Sequence, residues 1–574
     1  FEYMTRERYN YFYPGYTTSY SSYQGAVGML YEQGSSRGLA IERPDGSVRT
    51  LGEALEHQYV AAWAAARASV RERERLLSDY VEGRRAAVED GESGVRRYLL
   101  PAGDDPARLA ELVNTLRRNG IEVRRLTSEV RIESLRDREG RPAEARSFAA
   151  GTYVVEAAQP ANRLVRALLE PDNPLPEGFL EEARARVDRD ESPRFYDITS
   201  WSLPLLFDQV AFGTRAGQDL PTTAVTSDVR TGGAAPDRPG YAYLVDGGQT
   251  AAAAMLGRLA NRGHRAGMLV EPTRIDGRDF SAGTVIVRIA QNDESVHAAV
   301  AELSDRYGLE VRGTDTGLAE QGHPSLGSGD VVPARSSRIG LVAETPVHGY
   351  SFGWTWWTLD RAYELPVTVL RVGALGGSVL EDYDVVVLPD LFSASALTGR
   401  LGEDGMDRLR GWIRDGGTLV TVGEGTEFAR TELEMLDLRS WYDVAEEDAY
   451  RFDVPGAFFR GQVEDAWWLS AGSGEELPVL VASSRILLPP EGPPSSDRRV
   501  VVAYGSGEDG DAAQLSGHAW QESRARLSGA VFAYEQRQGA GRIVAFTEDP
   551  SFRGYWRGAD RLLLNAVVLG RTAP

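Results

Sequence analysis

Short apolar runs alternate with stretches of helical period through most of this chain. Near the start, Ala26 to Tyr31 is an apolar run closed by a single carboxylate, Glu32, and the small residues Gly34, Ser35 and Ser36. That pattern predicts a buried strand delivering one acid to the rim of a sheet. A long helix is predicted to open at Thr50, with Glu53 three positions later completing a capping box. Leu55, Tyr59, Trp63, Ala66 and Val70 follow at helical spacing, so the Tyr59 and Trp63 face is expected to be core. The charged stretch from Arg84 to Gly94 reads as a linker.

An internal repeat comes next. The segment from Ser147 to Gln159 aligns without a gap with the segment from Asp279 to Gln291, sharing a Phe, an Ala-Gly-Thr, a Val and the final Gln. Upstream, each copy has a strand (Arg97–Leu100; Tyr241–Val245), a helix (Ala107–Arg118; Ala251–Asn261) and another strand near Ile121 or Gly267. A further helix follows the Gln in each. Two small α/β units are expected, with a single shared sheet as one arrangement open to them. Phe148 and Phe280 are expected to be core anchors, and Gly151 and Gly283 to allow a turn into the strand. Trp201, between the copies, is expected in a core or interface.

Beyond the Gly322–Ser337 stretch, which reads as flexible, a third pattern begins. Arg338–Glu344, Asp384–Pro389, Gly416–Val422 and Gly539–Phe546 read as strands, and Asp404–Arg414 and Ala559–Leu569 as helices. Strands alternating with helices predict a flavodoxin-like, doubly wound parallel sheet. The fold class is therefore α/β and multidomain. At 574 residues the chain has room for roughly three or four domains. The shifts in pattern place them at 1–92, 93–236, 237–335 and 336–574.

Composition narrows the chemistry. All 63 basic residues are arginine, and there is no cysteine. These absences exclude Schiff-base lysines, a complete phosphate-binding loop, thiol nucleophiles, disulfides and cysteine-ligated metals. A net charge of −21 argues against nucleic acid or an anionic membrane as partner. No run approaches the roughly 18 apolar residues that span a bilayer.

With the preceding Tyr13-Pro-Gly-Tyr16, the segment Gln24–Gly34 resembles the last part of the catalytic domain in zinc carboxypeptidases of the carboxypeptidase A type. Phe195–Phe207, Gly353–Trp357 and Phe552–Gly558 resemble segments of long bacterial members of that family, and residues 336–574 look like a degenerate class I glutamine amidotransferase domain. The resemblance implies peptide or amide hydrolysis with one zinc ion, and it makes Glu32 the general base for a zinc-bound water. It also implies a peptide or peptide-like substrate, one of Tyr11, Tyr13 and Tyr16 on the substrate side, and a periplasmic or extracellular location. Residues 1–92 would then be the end of the peptidase domain. A start at Phe1, within such a domain, leads us to expect a fragment whose zinc ligands lie upstream. The six histidines (His57, His264, His297, His323, His348 and His518) stand singly, none in a His-x-x-Glu or His-x-x-x-His arrangement.

The amidotransferase-like region faces its own test. A glutaminase needs a cysteine on a tight elbow after a strand. Here Thr418–Val422 runs into Gly423-Glu424-Gly425, so that mechanism is excluded. Two rivals remain: a non-catalytic protein that binds a glycan or peptide, with Trp354, Trp356 and Trp357 as a candidate stacking face, and a hydrolase in the last domain using Glu424 or His518.

Overall fold

The computed structural model describes residues 13–172, 175, 178–189, 191–232, 238–445, 453–465, 467–492 and 495–574. Tyr11 lies outside them. The chain is a mixed α/β protein with several separate sheets.

The first helices behave differently from expectation. Helix α1 (Leu51–Arg71) opens as predicted, the Thr50 hydroxyl accepting from the Glu53 amide at 3.2 Å. Yet none of its residues is buried; Tyr59 and Trp63 are 68% and 56% exposed. The stripe expected to be core meets no covering element among the described residues. Helix α2 (Arg73–Asp90) runs through most of the supposed linker, because Arg, Glu and Ala are strong helix formers whether or not they are buried. The strand expected over residues 26–31 is absent. That segment is irregular, with Val27, Met29, Leu30 and Tyr31 all at least half exposed. Its apolar residues found neither a sheet neighbour nor a core.

The two repeats fold as a structural duplication. The first copy comprises β1 (Arg97–Leu100), α3 (Pro106–Arg118), β2 (Arg124–Leu126), β3 (Tyr153–Glu156), α4 (Asn162–Leu169), β4 (Phe212–Thr214) and β5 (Thr222–Ala224). The second comprises β6 (Ala242–Val245), α5 (Ala251–Asn261), β7 (Gly267–Leu269), β8 (Thr284–Arg288), α6 (Ser295–Tyr307), β9 (Val311–Thr314) and β10 (Val331–Pro333). Strand order is β5-β2-β3-β1-β4 in one and β10-β7-β8-β6-β9 in the other, antiparallel throughout. Each copy thus keeps its own sheet, and β10 occupies part of the stretch expected to be flexible. In the first copy a hairpin, 135–137 with 142–143, extends the sheet beyond β4.

Phe148 and Phe280 are core residues, as expected. Gly151 and Gly283 both take left-handed φ (98° and 87°), the turn predicted for them. Only Gly283 is also hemmed in: a Cβ there would lie 2.8 Å from the Ala471 carbonyl carbon. At this turn the second copy is packed tightly against the C-terminal unit, while the first copy meets the same unit elsewhere, through Glu111 with Arg557 and Glu139 with Arg460.

That unit is built on β11 (Ile339–Ala343), α7 (Gly349–Trp356), β12 (Val367–Arg371), β13 (Val385–Leu388), α8 (Ala394–Arg414) and β14 (Thr418–Val422). It continues with β15 (Ala457–Val463), β16 (Glu476–Val481), β17 (Arg498–Tyr504), β18 (Val531–Gln538), β19 (Gly541–Phe546) and α9 (Asp560–Leu569). Strands β12-β11-β13-β14-β19 are parallel, in the flavodoxin-like order. The sheet then continues through β18, β17, β15 and β16 as an antiparallel wing. All ten residues of α9 are buried. From it the fully buried Arg561 donates to the carbonyls of Ala471 (3.0 Å), Gln249 (3.2 Å) and Gly283 (2.8 Å), joining the second repeat to the C-terminal unit.

Candidate functional site at the crest of the parallel sheet

In an open α/β sheet, ligands bind outside the carboxyl ends of the strands, where the strand order reverses. Here that point lies beyond β11 and β13. Residue 344 follows β11 and residue 390 follows β13; β14 and β19 bring Gly423 and Glu548 to the same edge. The loops after β11 and β13 are tied together, the His348 amide donating to the Asp390 carbonyl at 2.7 Å and the Phe392 amide to the Pro346 carbonyl at 2.9 Å.

The turn after β14 has the geometry of a nucleophile elbow without a nucleophile. Gly423 adopts φ 59° and ψ −121°, a conformation that strains any residue with a side chain. A Cβ at this position would fall 2.3 Å from Asp390 Oδ1. That same oxygen accepts the Glu424 amide at 2.6 Å. The Asp390 carboxylate therefore fills the space a nucleophilic side chain would need, and it saturates the amide that an oxyanion would use.

Around this turn the polar groups interlock. The Ser351 hydroxyl donates to Asp549 and accepts from the Asp390 amide at 3.1 Å. The amide and hydroxyl of Ser551 donate to the other Asp549 oxygen. Glu548 accepts from the Ser483 hydroxyl and from the Ala482 amide. Arg485 lies 3.8 Å from Asp390 and 3.7 Å from Glu424, and it donates to the Thr547 carbonyl. Burial pushes the Glu548 carboxyl up to about 7 and the Asp549 carboxyl up to about 6. A cleft of about 410 Å³ opens beside the turn, with Glu424, Glu427, Arg430, Tyr442 and Arg485 among its walls.

An aromatic rim adjoins these acids. His348 packs on Phe392 with ring centres 4.7 Å apart, and Tyr350 stacks nearly parallel on Trp354 at 6.1 Å. Tyr350 and Phe392 are 72% and 66% exposed. The three tryptophans weighed as a candidate stacking face do not share one. Trp354 joins Tyr350 and Phe552, Trp356 lies under Arg361, and Trp357 lies under Arg557. Trp201 is fully buried, in line with its expected core role.

The other candidates lie elsewhere. Glu424 belongs to the crest, but His518 lines a separate cavity with Asp172, Thr199 and Gln514, its ring stacked on Phe195. Burial pulls His518 down to about 4, so it is neutral at physiological pH. The structure does not bring Glu424 and His518 into one site. Glu32 sits on the exposed, irregular N-terminal segment and not at a strand end. Tyr13 turns instead toward the C-terminal unit and Tyr16 toward the segment between the repeats. Tyr16 donates to Asp197, and Arg553 lies 4.2 Å over the Tyr13 ring.

No family model matches the chain, and no curated protein does. Solved structures match over part of it. A GMP synthase component from Thermoplasma acidophilum is 11% identical over 40% of this chain and 96% of its own, with a TM-score of 0.26. A ThuA-like protein from Parabacteroides merdae is 14% identical over 41% of this chain and 90% of its own, at 0.28. The β-galactosidase from Bacillus circulans is 14% identical over 41% of this chain and 32% of its own, at 0.25. None of these is a carboxypeptidase. The expected place among the zinc carboxypeptidases is overturned. Among the described residues no group of three or more His, Asp or Glu is placed for a metal ion. No helix among them is long and apolar enough to cross a membrane.

Proposed function

We propose that this chain is a non-catalytic recognition module that binds a glycan at the crest of its parallel sheet. The observation that carries the reading is the filled elbow. The position that would present a nucleophile is a glycine in a conformation that a side chain would strain, with the Asp390 carboxylate in the space beside it. What the crest offers instead is hydrogen-bond acceptors at Asp390 and Glu424, the Arg485 donor, and exposed aromatic faces at Tyr350 and Phe392. Carboxylates accept from sugar hydroxyls, and aromatic rings cover the apolar face of a pyranose; few convergent polar groups beside an apolar wall is the usual make-up of a small-ligand site. A peptide, the partner class expected from the sequence, is the competing occupant.

Titration calorimetry against neutral oligosaccharides and uncharged peptides of matched size separates the two. The proposal expects saccharide binding that weakens at least tenfold in F392A and Y350A, and no turnover of glutamine, peptide or glycoside substrates. Binding of the peptides alone, or saccharide binding indifferent to both substitutions, refutes it.

A further inference from the structure

We propose a second binding site, for a small zwitterion such as an amino acid or short peptide with free termini, in the cavity between the two repeats. This cavity holds about 980 Å³ and is walled by both copies and by the loop before β16. It lies where the N-termini of α3 and α5 face each other. One carboxylate already serves both helix ends: Asp105 accepts the Arg108 amide at 3.1 Å and the Thr250 amide at 2.9 Å. Asp105 also pairs with the Arg108 guanidinium at 3.5 Å, so Arg108 is compensated.

Arg561 is not. It forms part of the same wall, is fully buried, and has no carboxylate within ion-pairing distance among the described residues. Of the five N–H donors of a guanidinium, three meet carbonyl oxygens and one the Met268 sulfur, which leaves one on Nη1. Burial lowers Arg561 only to about 10, so it remains a cation at neutral pH. The deep wall of the cavity therefore carries a cation without a salt-bridge partner, on which Asp105 and Asp246 act only from a distance, and the two helix ends beside it are capped by Asp105.

The other walls have the opposite character. Asp104, Glu271, Asp465 and Glu475 line the cavity without a cationic partner among the described residues, while Asp208 and Glu139 are paired with Arg138 and Arg141. A simple anion would meet repulsion from these acids, and a simple cation from Arg561. A molecule carrying both charges satisfies both walls and brings no net charge into the cavity. The volume corresponds to about 10 Å across, which matches an extended di- or tripeptide at about 3.5 Å per residue.

The test is calorimetry at low ionic strength with Ala-Ala, N-acetyl-Ala-Ala and Ala-Ala amide, on the whole chain. The proposal expects Ala-Ala to bind, and each blocked derivative to bind at least tenfold more weakly. The double variant E271Q/E475Q should weaken Ala-Ala and leave N-acetyl-Ala-Ala unchanged, because the acetylated form has no amine for the rim. These rim residues are not part of the packed core, so the test does not depend on a variant at Arg561. Equal affinity of free and blocked forms overturns the proposal. So does the absence of binding by Ala, Ala-Ala and Ala-Ala-Ala at millimolar concentration. The F392A substitution should leave Ala-Ala binding unaltered, which separates this cavity from the crest.

Discussion

Raising the pH from about 5 to about 8 should loosen the crest of the sheet, because it ionises Glu548 and Asp549 inside the fold. Glu548 is buried and Asp549 half-buried, and desolvation lifts them from 4.5 and 3.8 to about 7 and about 6. An acid whose pKa rises on folding holds its proton more tightly in the native state. Its contribution to stability is therefore complete below the unfolded value and is lost as pH climbs through the folded one. For Glu548 that window runs from about 4.5 to about 7. At about 1.4 kcal/mol per pH unit, the interval is worth about 3 kcal/mol. The substitution E548Q removes the ionisation and keeps a carbonyl oxygen for the Ser483 hydroxyl. Its amide nitrogen faces the Ala482 amide, which should cost about 1 kcal/mol at every pH. The variant should thus be the less stable protein near pH 4.5 and the more stable one near pH 8, with the difference moving by about 3 kcal/mol. Urea unfolding followed by tryptophan fluorescence at a series of pH values measures this directly. Subtracting one curve from the other cancels the remaining titrating groups. Parallel curves would refute the reasoning.

Three further outcomes are expected. G423A should destabilise the chain by about 2–4 kcal/mol, since the new Cβ is both strained at φ 59° and driven into Asp390; an unchanged melting temperature contradicts the filled-elbow geometry. R561M should cost about 3 kcal/mol or more, because three buried carbonyls lose their donor, and hydrogen exchange in α9 should rise before that in α8. T50A should cost about 1 kcal/mol at the start of α1 alone, seen as faster exchange of the Glu53 amide with the crest unaffected.

Much of the scaffold was legible because it follows local rules. Thr50 and Glu53 fixed the start of α1, and the runs 385–388 and 418–422 are apolar but for Thr418 and Thr421 and buried throughout, as befits central parallel strands. The repeat was legible as an ungapped alignment, and the structure extends it to a common strand order. The antiparallel wing from β15 to β18 was not, because its strands are read as continuations of an alternating pattern until their pairing is known. Residues 26–31 failed for the converse reason. Apolar content signals burial only when another element supplies the cover. The crest is the hardest case: Asp390, Glu424, Arg485 and Glu548 are far apart in sequence and meet only through parallel topology. A partial signal did exist, since Asp390 and Glu548 each stand two residues beyond the end of an apolar strand.

That placement bears on why the crest reads as a binding surface. A catalytic elbow strains one residue so that its side chain stands free above the sheet. Here the turn is kept by Gly423, which adopts it without strain, and the space above it belongs to a carboxylate held by the next amide in the chain. Freeing that amide for an oxyanion would require Asp390 to withdraw, breaking its link to Glu424 and moving it away from Arg485. The lifted carboxyls of Glu548 and Asp549 lie beneath the surface in serine hydroxyl bonds, and the groups left exposed are aromatic faces. Chemistry at the elbow would have to dismantle the network, whereas a ligand resting on the rim leaves it intact.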